Sequence, residues 1–221
     1  MQAWFKSLSI LTIGVGCLAA AQSKPLVKKL SRTRLQIGAV VLDTAKREVR
    51  MPAKVNMVDG LVELLACTSY GKTHESVFVV EAKPLHIHTA LLLLGARAGK
   101  CPGEAQAKRV PDGERLTIWV EVKGKPPRRG EDFVWRTNAK RAMQHTSWVF
   151  TGSKIIDGQF IAEIDGSIVA TYYDPLAIIN NPLPTNADDE LYFVNKQTVP
   201  PLGAKVALVF RLELRDAKKA K

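Results

Sequence analysis

The chain has 221 residues, of which 46% are hydrophobic, so it can form a packed core and does not belong to the disordered class. Its 15 glycines and 12 prolines exclude collagen-like and low-complexity chains, and its three cysteines are too few for a small disulfide scaffold. A formal net charge of +11 indicates an anionic partner without identifying one.

The first 21 residues have the organisation of a secretory signal peptide. One cation, Lys6, precedes the apolar or small residues 7–20, and Ala19–Ala21 supplies the small side chains of a signal peptidase site. A membrane anchor is the alternative, but a span needs about 20 apolar residues and this run is shorter. The sequence therefore predicts export to the periplasm or the cell surface, with cleavage before Gln22.

Export gives the three cysteines different expected roles. Gly16 and Cys17 fit part of a lipobox, so a lipoprotein anchored through Cys17 is an alternative to a cleaved soluble chain. In an oxidising compartment, Cys67 and Cys101 would form a disulfide that stabilises the fold by about 3–4 kcal/mol. Two separate buried thiols are the alternative to that disulfide.

The positive charge is concentrated in a basic N-terminal segment (residues 22–34), an internal loop that begins at Lys123, and a basic tail (residues 215–221). Such runs are commonly solvated segments that aid solubility. Alternatively they contact an anionic envelope component, lipid or wall polymer, where each cation near a membrane surface adds about 1 kcal/mol. The residues predicted for this contact are Lys24, Lys28, Lys29, Arg32, Arg34, Lys123, Lys125, Arg128 and Arg129. Nucleic acid is not expected as the partner of an exported protein.

Strands and tight turns are predicted along most of the chain. Asp-Gly pairs between apolar runs are typical of type I′ hairpins. They predict a hairpin of residues 48–58 with 61–68 and a meander of residues 148–156, 159–164 and 167–173. A turn near residues 70–71 would pair 61–68 with 73–81. Further strands are predicted at 35–42, 116–122, 191–195 and 205–214.

One helix is predicted from Pro84, which suits a first helical position, to Gly95, which suits the stop. A weaker helical stretch covers residues 137–144. About ten strands, arranged as antiparallel hairpins and a meander, with one or two helices predict a β-dominated α+β fold. It would form a single domain over residues 35–214, with 123–130 as the candidate boundary if there are two lobes.

Several segments occur in a familiar order, namely LVELLACTSYGKTHESVFVVEA, PLHIHTALLLLGA, WVFTGS, IDGSIVATYYDPLAIINNP and VPPLGAKVALVF. In combination they resemble the YdjY-type domain of exported bacterial proteins, a functionally uncharacterised family. The resemblance spans roughly residues 35–214. It implies a secreted β-rich domain and supplies no catalytic residue.

Four side chains are candidate metal ligands: Cys67, His74, His86 and His88. If residues 69–72 form a hairpin loop, Cys67 and His74 become cross-strand neighbours. His86 and His88 lie two apart in the predicted helix and point about 200° apart, so at most one of them joins His74. This predicts, as an alternative function, a zinc or copper site or a redox protein. Histidines that satisfy the helix end or turns are the ordinary interpretation.

The remaining candidate sites are incomplete. Calcium would require an irregular site built from Asp174, Asp188, Asp189 and Glu190, because the EF-hand glycine and terminal glutamate are missing. Trp119 and Trp148 lie in predicted strands and are expected in the core, whereas Trp135 is the tryptophan expected to be exposed.

No complete catalytic motif is present, neither a phosphate-binding loop nor a nucleophile elbow. The sequence therefore predicts an exported, non-catalytic, envelope-associated domain that binds or scaffolds an unknown ligand and holds no cofactor. The metal or redox protein is the first alternative. The second is a hydrolase of wall polymer that acts through carboxylates such as Glu63 or Asp165.

Overall fold

Seventeen strands and two helices form the regular structure of residues 27–102 and 110–214, the part of the chain that this computed structural model describes. The early strands are β1 Val27–Lys29, β2 Arg34–Ile37, β3 Val40–Asp43, β4 Glu48–Val55, β5 Leu64–Thr68 and β6 Ser76–Val80. The middle strands are β7 Glu114–Val122, β8 Arg128–Arg129, β9 Val134–Arg136, β10 Arg141–Ala142, β11 Trp148–Phe150, β12 Ile155–Ile156 and β13 Gln159–Phe160. The late strands are β14 Ser167–Ala170, β15 Ile179–Asn180, β16 Tyr192–Val194 and β17 Lys205–Leu212, and the helices are α1 Pro84–Leu93 and α2 Ala162–Asp165.

Eight of these strands close into a barrel in the order β4-β17-β7-β11-β15-β14-β5-β6, with β6 pairing back onto β4. Neighbours are antiparallel except at β14–β15 and β5–β6, which are parallel. One edge of β4 pairs with β17, and the other is shared between β3 in its first half and β6 in its second half. Strands β1–β3 therefore extend from the barrel as an antiparallel sheet.

The barrel has one solvent-facing wall. Strands β4, β7 and β17 largely alternate buried and accessible residues, which is the pattern of a strand with one face on the core. Strands β5, β6, β11 and β14 are buried at every residue, so other parts of the chain cover them from outside. Surface chemistry on the barrel itself is thus concentrated on β4, β17 and β7.

The predicted helix is confirmed. Pro84 occupies its first turn, Ile87, Ala90 and Leu91 are buried, and the chain leaves the helix at Gly95 with φ +85°. A positive φ favours glycine because it has no Cβ. Helix α1 packs against β3 and β4.

The β-dominated α+β class is also confirmed, but much of the predicted pairing is wrong. Only the turn at residues 157–158 closes a hairpin as expected, between β12 and β13. Gly166 instead ends α2 with φ +79°, so the meander does not form. The turn at 59–60 does not pair β4 with β5, since β5 lies between β6 and β14. An Asp-Gly pair favours a local turn and has no influence on which distant strand completes the ladder.

Three further strand predictions are corrected. Strands β5 and β6 are parallel instead of forming a hairpin, and residues 69–75 return the chain from the end of β5 to the start of β6. The predicted strand 35–42 is divided into β2 and β3 at Gly38, whose φ is +55°. Residues 137–144 contain a 3-10 turn, Thr137–Ala139, followed by β10, instead of an α-helix.

Several predictions lie outside the described residues, namely the signal peptide at 1–21, Cys17, Lys24 and the tail at 215–221. Within the described part, no helix is long and apolar enough to cross a membrane. The candidate lobe boundary at 123–130 contains β8, which pairs back onto β7.

Candidate anion-binding face

Three lysines from distant parts of the chain lie side by side on the solvent-facing wall. Lys54 of β4 is the direct cross-strand partner of Lys205 of β17. Val206 is opposite Val122 of β7, so the antiparallel register places the next residue, Lys123, beside Lys205. All three side chains are exposed. We call Lys54, Lys205 and Lys123 the lysine row.

The lysine row is electrostatically unfavourable in the free protein. None of the three makes an ion pair with an acidic residue in the described part of the chain. Like charges directly opposite each other on neighbouring strands destabilise a sheet. An anion that contacts all three ammonium groups would remove this repulsion.

A groove of about 450 Å³ lies next to the row, and its lining includes Lys123, Lys125 and Lys205. Two further charged residues line it, Arg50 and Glu121, and they form an ion pair with each other. The remaining charge of the groove is therefore that of its three lysines. This geometry can bind a phosphate- or carboxylate-bearing ligand.

Some of the predicted anion contacts are available and others are not. Lys28 and Lys29 are exposed on β1, and Arg32 and Arg34 are exposed nearby. Lys123 and Lys125 line the groove. The two loop arginines have structural roles, because Arg128 pairs with Asp132 at 3.3 Å and Arg129, only 15% exposed, pairs with buried Glu131 at 2.7 Å. The sequence-based prediction missed Lys54 and Lys205, which are single cations within alternating strands.

Trp119 lies on the same wall and is only half-buried. The expectation that it belongs to the core is therefore wrong. Its ring is flanked by the guanidinium carbons of Arg129 and Arg211, at 5.6 Å and 5.4 Å from the ring centroid. Such cation–π contacts stabilise exposed sites by about 0.5–1 kcal/mol. Trp148, by contrast, is fully buried as predicted.

The candidate metal ligands do not converge. Because β5 and β6 are parallel, the partner of Cys67 is Val79, and Cys67 is fully buried while the His74 side chain is 79% exposed. His86 lies against Gly38, and His88 packs between two phenylalanine rings. In the residues that the structure describes, no group of three His, Cys, Asp or Glu side chains could hold a metal ion.

The four calcium candidates also differ in their surroundings. Asp188, Asp189 and Glu190 are exposed. Asp174 is largely buried, and its carboxylate accepts a hydrogen bond from the backbone of Leu176 and lies 3.9 Å from Lys72. The thiols of Cys67 and Cys101 are not bonded to each other.

A second cavity, of about 420 Å³, lies beside the start of β5 and is lined by Glu63, Lys72, Lys154 and Asp174 among others. Burial, reinforced by the charge of neighbouring Glu75 and a hydrogen bond with it, raises the pKa of Glu63. A protonated carboxyl there can donate a hydrogen bond to a ligand. Asp165, the other carboxylate considered for hydrolysis, is not part of this lining and accepts a hydrogen bond from Ser167.

The chain is similar to a known protein family. The YdjY domain matches residues 40–211, most of the chain. No curated protein and no solved structure matches.

Proposed function

The chain belongs to the YdjY-domain family, and on that premise we propose that it is an exported, non-catalytic domain that binds or scaffolds an anionic component of the bacterial envelope. The observation that carries the proposal is the lysine row, in which Lys54 of β4, Lys205 of β17 and Lys123, which directly follows β7, lie together without an acidic ion-pair partner in the described part of the chain.

The wall that carries the row is suited to binding without rearrangement. Strand β17 is paired along most of its length on both edges, with β4 and with β7. Backbone groups that are satisfied on both edges of β17 hold the backbone positions of Lys54 and Lys205 at a fixed spacing, so no rearrangement of the sheet is needed when a ligand binds.

The predicted signal peptide and the chemistry of the envelope support the same proposal. The organisation of residues 1–21 is that of a signal peptide. Anionic lipid headgroups and phosphate-bearing wall polymers present repeated negative charges, and each lysine near such a surface adds about 1 kcal/mol of binding free energy. Lys28 and Lys29 on β1 would add to this attraction.

The test is co-sedimentation of the full chain with anionic lipid vesicles and, separately, with a phosphate-bearing wall polymer, at low and high salt. Replacing the row by Lys54→Gln, Lys123→Gln and Lys205→Gln should weaken binding roughly 100-fold, since three contacts of about 1 kcal/mol are lost. The arm that binds identifies the source of the negative charge.

The matched control removes the same charge elsewhere, by Lys46→Gln, Lys83→Gln and Lys100→Gln, at exposed positions outside the groove. It should retain most of the binding. Equal losses in both triple variants would show that net charge alone is responsible, and no binding by the native chain in either arm would refute the proposal. N-terminal sequencing of the protein recovered after expression in bacteria tests cleavage before Gln22.

A further inference from the structure

Strands β10, β9 and β16 form a small antiparallel sheet outside the barrel, in that order. Val134, Tyr192 and Val194 of this sheet are buried in the core. Trp135 and Phe193 are direct cross-strand partners and both are half-buried. The two aromatic side chains therefore form a pair on the face of the sheet directed away from the core.

A cleft of about 350 Å³ opens over this pair. Apart from Trp135 and Phe193, its lining includes Asp59, Lys196 and Gln197. The backbone carbonyl of Gly60, the residue after Asp59, accepts a hydrogen bond from Val194 at 3.0 Å. This bond holds the turn that contains Asp59 against β16. The cleft thus has an aromatic floor and polar walls, within the size range of small-molecule sites.

From this arrangement we propose that the cleft over Trp135 and Phe193 is a binding site for a neutral saccharide. The site is separate from the lysine row and the inference does not depend on the proposed function. A sugar ring has an apolar C–H face that packs on an aromatic ring and hydroxyl groups at its edge that hydrogen-bond to planar polar side chains.

The hydrogen-bonding groups of the cleft support a polar ligand. The indole N–H groups of Trp119 and Trp148 donate to Thr117 and Glu131. In the part of the chain that the structure describes, the indole N–H of Trp135 and the side-chain amide of Gln197 have no such partner. Tryptophan N–H groups in partly buried sites usually find an acceptor, and a ligand hydroxyl supplies one.

The charge of the cleft indicates that the ligand is neutral. Lys196 Nζ lies 2.6 Å from Asp59 Oδ2, so the two charged residues of the lining neutralise each other. The lining therefore offers no net positive charge to a polyanion, which is better accommodated at the lysine row. A purely apolar ligand would leave the polar walls without hydrogen bonds, which is costly for groups removed from water.

The test is isothermal titration of the full chain with two neutral probes, a tetramer of β-1,4-linked N-acetylglucosamine and a tetramer of β-1,4-linked glucose. Saturable binding of at least one is expected. Trp135→Ala should weaken it by roughly tenfold or more, and Gln197→Ala by a smaller factor, as for central and peripheral contacts of an interface. Trp135→Phe, which keeps a ring, should retain part of the affinity.

Two controls separate this site from the rest of the surface. Trp119→Ala removes a half-buried tryptophan outside the cleft, and the triple variant of the lysine row removes charge; neither should change saccharide affinity. Because Gln197 is exposed, Gln197→Ala tests the site even if Trp135→Ala does not fold. Absence of saturable binding of both tetramers up to about 10 mM would overturn the inference. A proline-rich peptide is titrated as a third probe. Trp135-dependent binding of this peptide, without binding of either saccharide, would overturn the inference as well.

Discussion

Glu131 Oε1 accepts a hydrogen bond from the indole Nε1 of Trp148 at 3.0 Å, and neither side chain is exposed to solvent. The same oxygen accepts from the backbone of Thr146 at 2.9 Å and from Arg129 at 2.7 Å. One carboxylate of the basic loop therefore connects β8, β11 and the segment that leads into β9. A loop that is basic in composition is ordered by a buried acid.

We expect Glu131→Gln to lower the free energy of unfolding by about 3–5 kcal/mol, because the change leaves the guanidinium of Arg129 without its counter-charge in a buried site. Urea denaturation monitored by tryptophan fluorescence measures this. The matched control is Arg128→Gln, which breaks the exposed ion pair with Asp132 and should cost at most about 1 kcal/mol. Equal costs for the two variants would contradict the structural role assigned to Glu131.

The free energy of unfolding should decrease as the pH is lowered from the ordinary pKa of histidine, because of His88. Its ring lies between Phe150 and Phe160, at centroid distances of 5.3 Å and 4.9 Å, and burial lowers its pKa. From about pH 6.5 downward the unfolded chain binds a proton that the folded chain resists, so acid favours unfolding until the lowered pKa is passed.

Thermal denaturation from pH 7.5 to pH 5 tests this effect of His88. His88→Gln should show a shallower decline of Tm with acidity than the native chain. His74→Gln, at a position 79% exposed, should leave the slope unchanged. A native slope retained in His88→Gln would show that another group is responsible.

Glu63 should have the opposite effect on the pH dependence. Burial and the neighbouring Glu75 raise its pKa, so the folded chain holds this proton more tightly than the unfolded chain does. The free energy of unfolding therefore decreases as the pH rises from the usual glutamate range through the raised pKa. Glu63→Gln removes this ionisation. The free energy of unfolding of the variant minus that of the native chain should therefore be larger at pH 7 than at pH 4. Glu190→Gln, an exposed site, is the control, and a pH-independent difference for Glu63→Gln would refute the prediction.

Both described thiols should be unreactive in the folded protein. Burial raises the pKa of Cys67 to about 11 and that of Cys101 to about 12, so the reactive thiolate is scarce at neutral pH. Iodoacetamide should label the peptides of Cys67 and Cys101 slowly in buffer and rapidly in denaturant without reductant. Labelling that requires reductant as well as denaturant would instead show that the two cysteines form the disulfide considered from the sequence.

Local patterns predicted the parts of the fold that are locally determined. The helix between Pro84 and Gly95, the hairpin at residues 157–158 and the long strands β7 and β17 each have their signal within about ten residues. The predicted pairing of residues 61–68 with 48–58 failed, because the backbone partners of β5 are β6 and β14. Alternation and turn residues indicate which face of a strand is buried, and they carry no information about which strand lies at its edge.

The candidate sites show the same division. Lys123 and Lys125 were recognisable because they belong to a basic run, and Trp135 was expected to be accessible. Lys54 and Lys205 are about 150 positions apart, and no pattern in the sequence connects them. The predicted pairing of Cys67 with His74 relied on an antiparallel hairpin and failed with it.

The amino-acid sequence by itself determined the β-dominated composition, the positions of most strands, the one long helix and the placement of charge in basic segments. Closure of the barrel, the alignment of the lysine row and the burial of Glu131 were decided only by the tertiary structure. The physical reason is that every buried backbone N–H and C=O needs a partner. Closing the sheet by pairing β6 with β4 satisfies them, and that closure sets the neighbours of every strand in the barrel.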